Sequence, residues 1–427
     1  MYEAIEGAAD AEISDEQLAG WIDAVLGRLR EKGPLRRVLL IPPDFTRSHS
    51  GAGPITVRLW ERLRDEAEVA ILPALGTHFP MEAGEREEMF PGIPASLFHD
   101  HDWRNGVADL GDVPASVMAE LSEGKVRLPA KVQVDRLLLD TKWDAILSIG
   151  QLVPHEVIGI ANHVKNVLVG AGGHDLIHKS HWLGAVYGME RIMGRARSPV
   201  RDLLNWAADH FLADLPLVYL LTVRGLTPDH RLVTRGLFAG DDPTCYERGA
   251  ELCRASNLDI LDHAPKKVVV KLDAQEFKST WLGNKAVYRT RMAIADDGEL
   301  VILAPGVRHF GEDAAIDALI RRFGYRGTPE TLASVIEHPD LGANLSAAAH
   351  LIHGSSEGRF RITYCPGHMS RAEVEGAGYS YADLAEMTEH YQPAGLTPGW
   401  NHRHGEELFY VPNPALGLWG TAERFAG

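Results

Sequence analysis

Cysteine is scarce. Cys245, Cys253 and Cys365 are the three cysteines in 427 residues, too few and too scattered for a disulfide framework or a Cys-x-x-Cys metal site. They are expected to be reduced, buried thiols. Long apolar runs are missing too: none approaches the roughly 20 residues that a membrane helix needs, so no membrane partner is expected. Positive charge is in deficit, with 43 lysines and arginines against 59 acidic residues and a net charge of −16. That argues against nucleic acid as a partner, because phosphate binding calls for a basic surface. The acidic N-terminus lacks the basic and apolar regions of a signal peptide, and a cytoplasmic location is expected. No Gly-x-Gly-x-x-Gly follows a strand pattern, and there is neither a P-loop nor a His-Glu-x-x-His. An ordinary dinucleotide enzyme, a P-loop nucleotidase and a zincin are therefore not signposted.

What is present is an α/β pattern. Ser14 and Gln17 form a capping box, followed by Leu18, Ile22, Val25, Leu26 and Leu29 on one helical face until Gly33-Pro34. Residues 38–41 read as a short buried strand closed by Pro42-Pro43, which leaves Asp44, Thr46 and Arg47 on the loop at its carboxyl end. A helix bearing Ile55, Leu59 and Leu63 leads to a second strand, and Gly76-Thr77-His78 follows it directly. A third strand through residues 146–149 is followed by His155. Helices alternating with short apolar strands indicate a largely parallel sheet, and ligands of such sheets bind beyond the carboxyl ends of the strands. Residues 248–261 read as one helix. Past His263-Ala264-Pro265 the pattern restarts with strands in 266–273, 298–306, 359–367 and 406–414 and a helix over 313–323. A chain of this length exceeds one ordinary core, so two α/β domains are expected, 1–262 and 266–427.

Histidine is concentrated where the first domain's loops converge. Residues 154–182 hold His155, His163, His174, His178 and His181 with Lys165 and Lys179. Imidazole is a common transition-metal ligand and titrates nearest neutral pH, so the stretch is a candidate for metal binding or proton transfer. His174, His178 and His181 share a face if this piece is helical, as in a zinc site, although the glycines at 170–173 blur the helix start. Asp44, Thr46 and Arg47 can hold a ribose or phosphate or simply begin a capped helix. His78 is a general-base candidate or a structural histidine. Residues 271–291 are basic in an acidic protein. Lys278, Lys285, Arg289 and Arg291 either bind an anion there or form a solvated helix face.

Taken in order, Asp44-Phe45-Thr46-Arg47, Gly76-Thr77-His78, Pro154-His155, Lys165 and His181 resemble the lactate racemase family, the nickel-pincer 2-hydroxyacid racemases and epimerases. The likeness lies in the Asp-x-Thr-Arg and Gly-Thr-His motifs and in the step of ten residues from His155 to Lys165 and sixteen more to His181. His99-Asp100-His101-Asp102 resembles a further family element. The resemblance implies a nickel-pincer nucleotide, a pyridinium-3,5-bisthiocarboxylic acid mononucleotide carrying nickel, attached covalently at Lys165, with His181 as the metal ligand. It implies an active site in the cleft between the two α/β domains, cofactor-synthesis proteins as partners and a small 2-hydroxy acid as substrate, whose C2 hydride is taken up and returned to either face. His78 and His155 would be the two acid/base groups. Asp44, Thr46, Gly76 and Thr77 would face the cofactor, Arg47 an anionic group, and Lys285 the substrate carboxylate.

Three departures stand out. Asn166 and Gly170-Ala171-Gly172-Gly173 follow Lys165, where a Pro-Gly is common in the family. The family carries Gly-Gly just before the lysine, where this chain has Asn162-His163-Val164, and Leu282 stands where the family has a glutamine before its second-domain lysine. Lactate, a dicarboxylate and a sugar acid all remain open as substrates. Two other readings stand beside the racemase: a zinc-dependent hydrolase or lyase built on His174, His178 and His181, and a non-catalytic relative.

Overall fold

The computed structural model describes residues 1–229, 231–415 and 417–426. The chain forms two compact units, the first from residues 1–180 and 195–257 and the second from 181–194 and 258–427.

In the first unit the helix Asp15–Lys32 begins as its sequence dictates. The Ser14 hydroxyl accepts the Gln17 N–H while the Gln17 side chain accepts the Ser14 N–H. Its apolar face buries Trp21, Ile22, Val25, Leu26 and Leu29 against the sheet. That sheet contains β1 (Tyr2–Ile5), β2 (Arg37–Ile41) and β3 (Glu68–Ile71). A separate antiparallel pair follows, β4 (Val107–Val113) and β5 (Ala130–Asp135). Then come β6 (Ala145–Leu152), the two-residue pair β7 (Pro154–His155) and β8 (Gly159–Ile160), β9 (Leu217–Leu226) and β10 (Leu232–Gly240). The main sheet has the order β1-β10-β9-β6-β2-β3. Strands β3, β2, β6 and β9 are parallel, and β10 and β1 extend the sheet antiparallel. All of β6 is buried, as expected of an inner strand covered on both faces. Each fully buried aliphatic side chain of this core contributes about 1.5–3 kcal/mol.

The second unit has β11 (Leu258–Leu261), β12 (Lys267–Lys271), β13 (Glu299–Ala304), β14 (Arg361–Pro366), β15 (Ser380–Tyr381), β16 (Gly399–Arg403), β17 (Glu406–Val411) and β18 (Leu418–Thr421). Its sheet runs β15-β14-β13-β12-β17-β16, parallel except for β16 against β17, while β11 and β18 form their own parallel pair. Both sheets are mostly parallel and carry helices, so the α/β expectation holds.

Two local readings change. Residues 248–261 are not one helix: the helix Thr244–Asn257 ends and the chain extends into β11. The Asn257 side chain turns back to the carbonyls of Cys253 and Arg224, and pairing with β18 overrides a helix-compatible apolar spacing. The basic segment 271–291 is no solvated face either. It folds as the short helices Thr280–Gly283 and Lys285–Thr290, with Arg289 and Arg291 buried. The Arg291 guanidinium is spent on Glu190 and on the carbonyls of His353 and Ser355. All three cysteines are free and buried. No helix among the described residues is long and apolar enough to cross a membrane.

Candidate active site

The parallel order β6-β2-β3 brings the loops after these strands to one edge. Pairing persists beyond the strand ends, with Leu72 N–H donating to Leu40 C=O and Ala74 N–H to Pro42 C=O. Asp44 therefore lies beside the Gly76-Thr77-His78 loop. Its buried carboxylate is shared: Oδ2 lies 2.6 Å from His78 Nδ1, and Oδ1 accepts the Thr46 hydroxyl at 2.5 Å. Burial works to raise the Asp44 carboxyl. The hydrogen bond and charge of His78, the Thr46 hydroxyl and the nearby Arg47 outweigh it and hold the group below the usual aspartate range. Asp44 thereby fixes the His78 ring through Nδ1 and leaves Nε2 for other partners. The His78 side chain is half exposed, at 50%.

Gly76 takes a left-handed φ of 58°, and its N–H donates to Gly170 C=O at 2.7 Å. Through this bond the Gly-Thr-His loop is hooked to the segment that carries Lys165. There the chain makes a π turn, Asn166–Gly170, in which Ala171 N–H reaches back to Asn166 C=O. The buried Asn166 amide donates to Ile41 C=O at 3.1 Å and to Ser148 Oγ at 3.0 Å, which ties the turn to the end of β2 and to β6. Lys165 is half-buried, and its amine makes no hydrogen bond or ion pair among the described residues. Burial, and then the charges of Arg47 and Arg201, lower the amine to about 8 against the opposing pull of Glu156. The Arg47 guanidinium has no carboxylate partner among the described residues.

His155 is buried on β7, directly after β6. Its Nδ1 accepts the Val157 N–H at 3.1 Å, which places the proton of the neutral ring on Nε2. Of the residues expected from sequence, Asp44, Thr46 and His78 are in contact, and Arg47 and Lys165 interact through charge. His181 and Lys285 belong to the second unit. His181 is on the helix His174–Tyr187, and Lys285 starts a short helix with its amine 5.7 Å from the Phe277 ring centre.

Three residues escaped the sequence reading. His101 was noted only as part of a His-Asp run, but its ring is buried with Nδ1 2.8 Å from Asp135 Oδ2 and Nε2 3.0 Å from Gly172 C=O. Both ring nitrogens thus face oxygen atoms. The ring pins β5 to the glycine turn that follows Lys165. Asn166 stood out only as a departure from the family pattern after Lys165, and Arg201 gave no signal at all.

The zinc reading loses ground. The helix does start at His174, yet among the described residues no group of three His, Cys, Asp or Glu side chains is placed to hold a metal. Gly354-Ser355-Ser356-Glu357-Gly358 has the letters of a hydrolase nucleophile elbow, but it follows the helix Leu345–His353 and precedes β14. An elbow needs the reverse order, strand then helix.

An α/β sheet with its titratable groups gathered on loops beyond the carboxyl ends of parallel strands is the frame of a small-molecule enzyme or binding protein. Residues 25–192 match the family model of the lactate racemase N-terminal domain. Two solved structures share the fold. A crystal structure of a protein from Thermotoga maritima aligns with a TM-score of 0.81 at 22% identity, covering 96% of this chain and 99% of that one. The lactate racemase apoprotein from Thermoanaerobacterium thermosaccharolyticum aligns with a TM-score of 0.67 at 16% identity, covering 96% and 93%. No curated protein matches the chain.

Proposed function

We propose that this chain is a racemase or epimerase acting at C2 of a 2-hydroxy acid, with a nickel-pincer nucleotide carried on Lys165 and supplied by cofactor-synthesis proteins. The observation that carries the reading is the Lys165 amine. It is half-buried, unpaired among the described residues, and lowered to about 8 beside the cation of Arg47. An amine with weakened proton affinity suits covalent attachment, and an unpaired guanidinium suits an anionic group. The residues present therefore fit the cofactor.

When bound, the cofactor would supply a reversible hydride acceptor. The protein's part is proton handling and orientation. His78, held by Asp44 through Nδ1, presents Nε2 to take or return the hydroxyl proton. His155 is the second acid/base group, and inversion at one carbon calls for two. Asp44, Thr46, Gly76 and Thr77 would face the nucleotide, Asp44 and Thr46 with the acceptor capacity left beyond their own contacts. Arg47 would hold an anionic group, Lys285 the substrate carboxylate, and His181 the nickel.

The deciding measurement is peptide mass and elemental analysis on protein made in a host that synthesises the cofactor. A cofactor-sized adduct on the Lys165 peptide with stoichiometric nickel supports the reading. Unmodified Lys165 without nickel overturns it in favour of a non-catalytic relative.

A further inference from the structure

Immediately before Lys165 the backbone is strained. Asn162 and His163 adopt left-handed φ values of 71° and 60° in succession. Glycine enters this region freely, whereas other residues do so at a cost, asparagine and histidine at less than most. The family has Gly-Gly just before its lysine; this chain reaches a left-handed turn there without glycine, so something else must hold the backbone.

The holding groups lie around it. Arg201, 2% exposed on the helix Pro199–Phe211, donates Nη1–H to Asn162 C=O at 3.1 Å and Nη2–H to Ile160 C=O at 2.6 Å. Its guanidinium stacks 4.1 Å from the centre of the Tyr246 ring. No carboxylate pairs with it among the described residues, and Nε has no hydrogen-bond partner. A buried cation spent on two carbonyls is an expensive device. The His163 ring is wedged 3.9 Å from the centre of Tyr219, and burial pushes it down to about 3, which keeps it neutral. The Asn162 side chain accepts the His163 N–H and occupies space that exists because residue 150 is glycine, where an added Cβ would lie 1.9 Å from Asn162 Nδ2.

We propose that Arg201 is a positioning residue for Lys165: by binding the Ile160 and Asn162 carbonyls together it holds the left-handed Asn162-His163 turn from which the lysine is presented. The inference deepens the reading of Lys165 as the cofactor's attachment point and rests on it for its meaning, though its test does not need the cofactor. The charged groups acting on Lys165 are Arg47, Glu156 and Arg201, so charge and geometry must be separated. Arg201→Lys keeps the charge but cannot reach two carbonyls as a planar fork does.

The experiment is reductive methylation of the unloaded chain with formaldehyde and cyanoborohydride near neutral pH, with the Lys165 peptide followed by mass spectrometry. Hydrogen exchange across residues 159–170 is measured in parallel, and folding is checked by circular dichroism. In the parent chain Lys165 is methylated ahead of surface lysines. Arg201→Lys is expected to slow Lys165 about tenfold, the effect of one unit in its proton affinity, and to speed exchange in this loop. Adding Asn162→Gly, which removes the backbone strain at one of the two positions, should recover part of both losses. Parent-like labelling and exchange in Arg201→Lys overturn the inference, as does a failure of Asn162→Gly to recover either readout in a folded double variant. Should Arg201→Lys not fold, the single variant Asn162→Gly decides: unchanged loop exchange overturns the inference, and slower exchange supports it. If these results come out as expected while no cofactor adduct ever forms on Lys165, the positioning stands and the racemase reading falls.

Discussion

At Asp44 one buried carboxylate serves two neighbours, and its own ionisation depends on them. Its carboxyl is held below the ordinary range, so the stability it adds is complete above about pH 4 and is lost as pH falls through the lower folded value. Asp44→Asn should flatten that acid limb, seen as a smaller difference between urea midpoints at about pH 5 and pH 3. It should also lower kcat by about 10²-fold, since an amide no longer fixes His78 Nδ1–H. His78→Ala and His155→Ala are each expected to lower kcat/KM by about 10²-fold or more, and full activity in either removes that residue from the acid/base pair. Lys165 has the opposite sign. Its lowered amine means that the unfolded chain binds more protons between about pH 8 and pH 10.5, so stability rises with pH across that window. Lys165→Met should therefore stabilise the unloaded protein at pH 7 by an amount on the order of 2 kcal/mol, fading in alkali. Asp44, His78 and Lys165 were legible because each follows a strand pattern or stands at a fixed step from another motif. Arg201 was not, since one arginine in an amphipathic helix carries no mark of the carbonyls it will meet.

At the scale of elements, the lysine segment is held by close backbone approaches. A Cβ on Gly172 would lie 1.9 Å from Leu168 C=O, and one on Gly150 would collide with Asn162. Gly172→Ala and Gly150→Ala are expected to lower the thermal midpoint clearly, by several degrees each, whereas Ser14→Ala, far from the site, should remove only about 1 kcal/mol of capping. The strands and the first helix were readable because apolar period and caps are local properties. Strand β11 was not, for its partner β18 lies more than 150 residues away in the chain. The basic stretch 271–291 misled for a related reason: composition suggested solvent, and the fold buried Arg289 and Arg291, the latter against Glu190.

For the molecule as a whole, scarcity of cysteine becomes an assay. All three thiols are buried, and burial pushes Cys245 and Cys365 up to about 12. A thiol reagent such as dithiobis(nitrobenzoate) should find none in the native protein and three after denaturation. A native thiol that reacts would show that a core is open. The α/β architecture was legible in the alternation of helices and strands. The antiparallel edge was less so, because β1 pairs with β10, which lies far away in the chain.

The π turn after Lys165 amounts to one surplus residue. An α-helical turn closes over one residue fewer, and π turns of this kind are readily understood as single-residue insertions into a helix. Here the extra residue shifts the angular register, so that Gly170 C=O meets the Gly76 N–H while Asn166 still reaches β2 and β6. A deletion at Val169 would restore an ordinary helix and rotate one of these anchors away from its partner. For this segment length is therefore as binding as identity: substitutions by residues of similar size can be accommodated, but a change in residue count cannot.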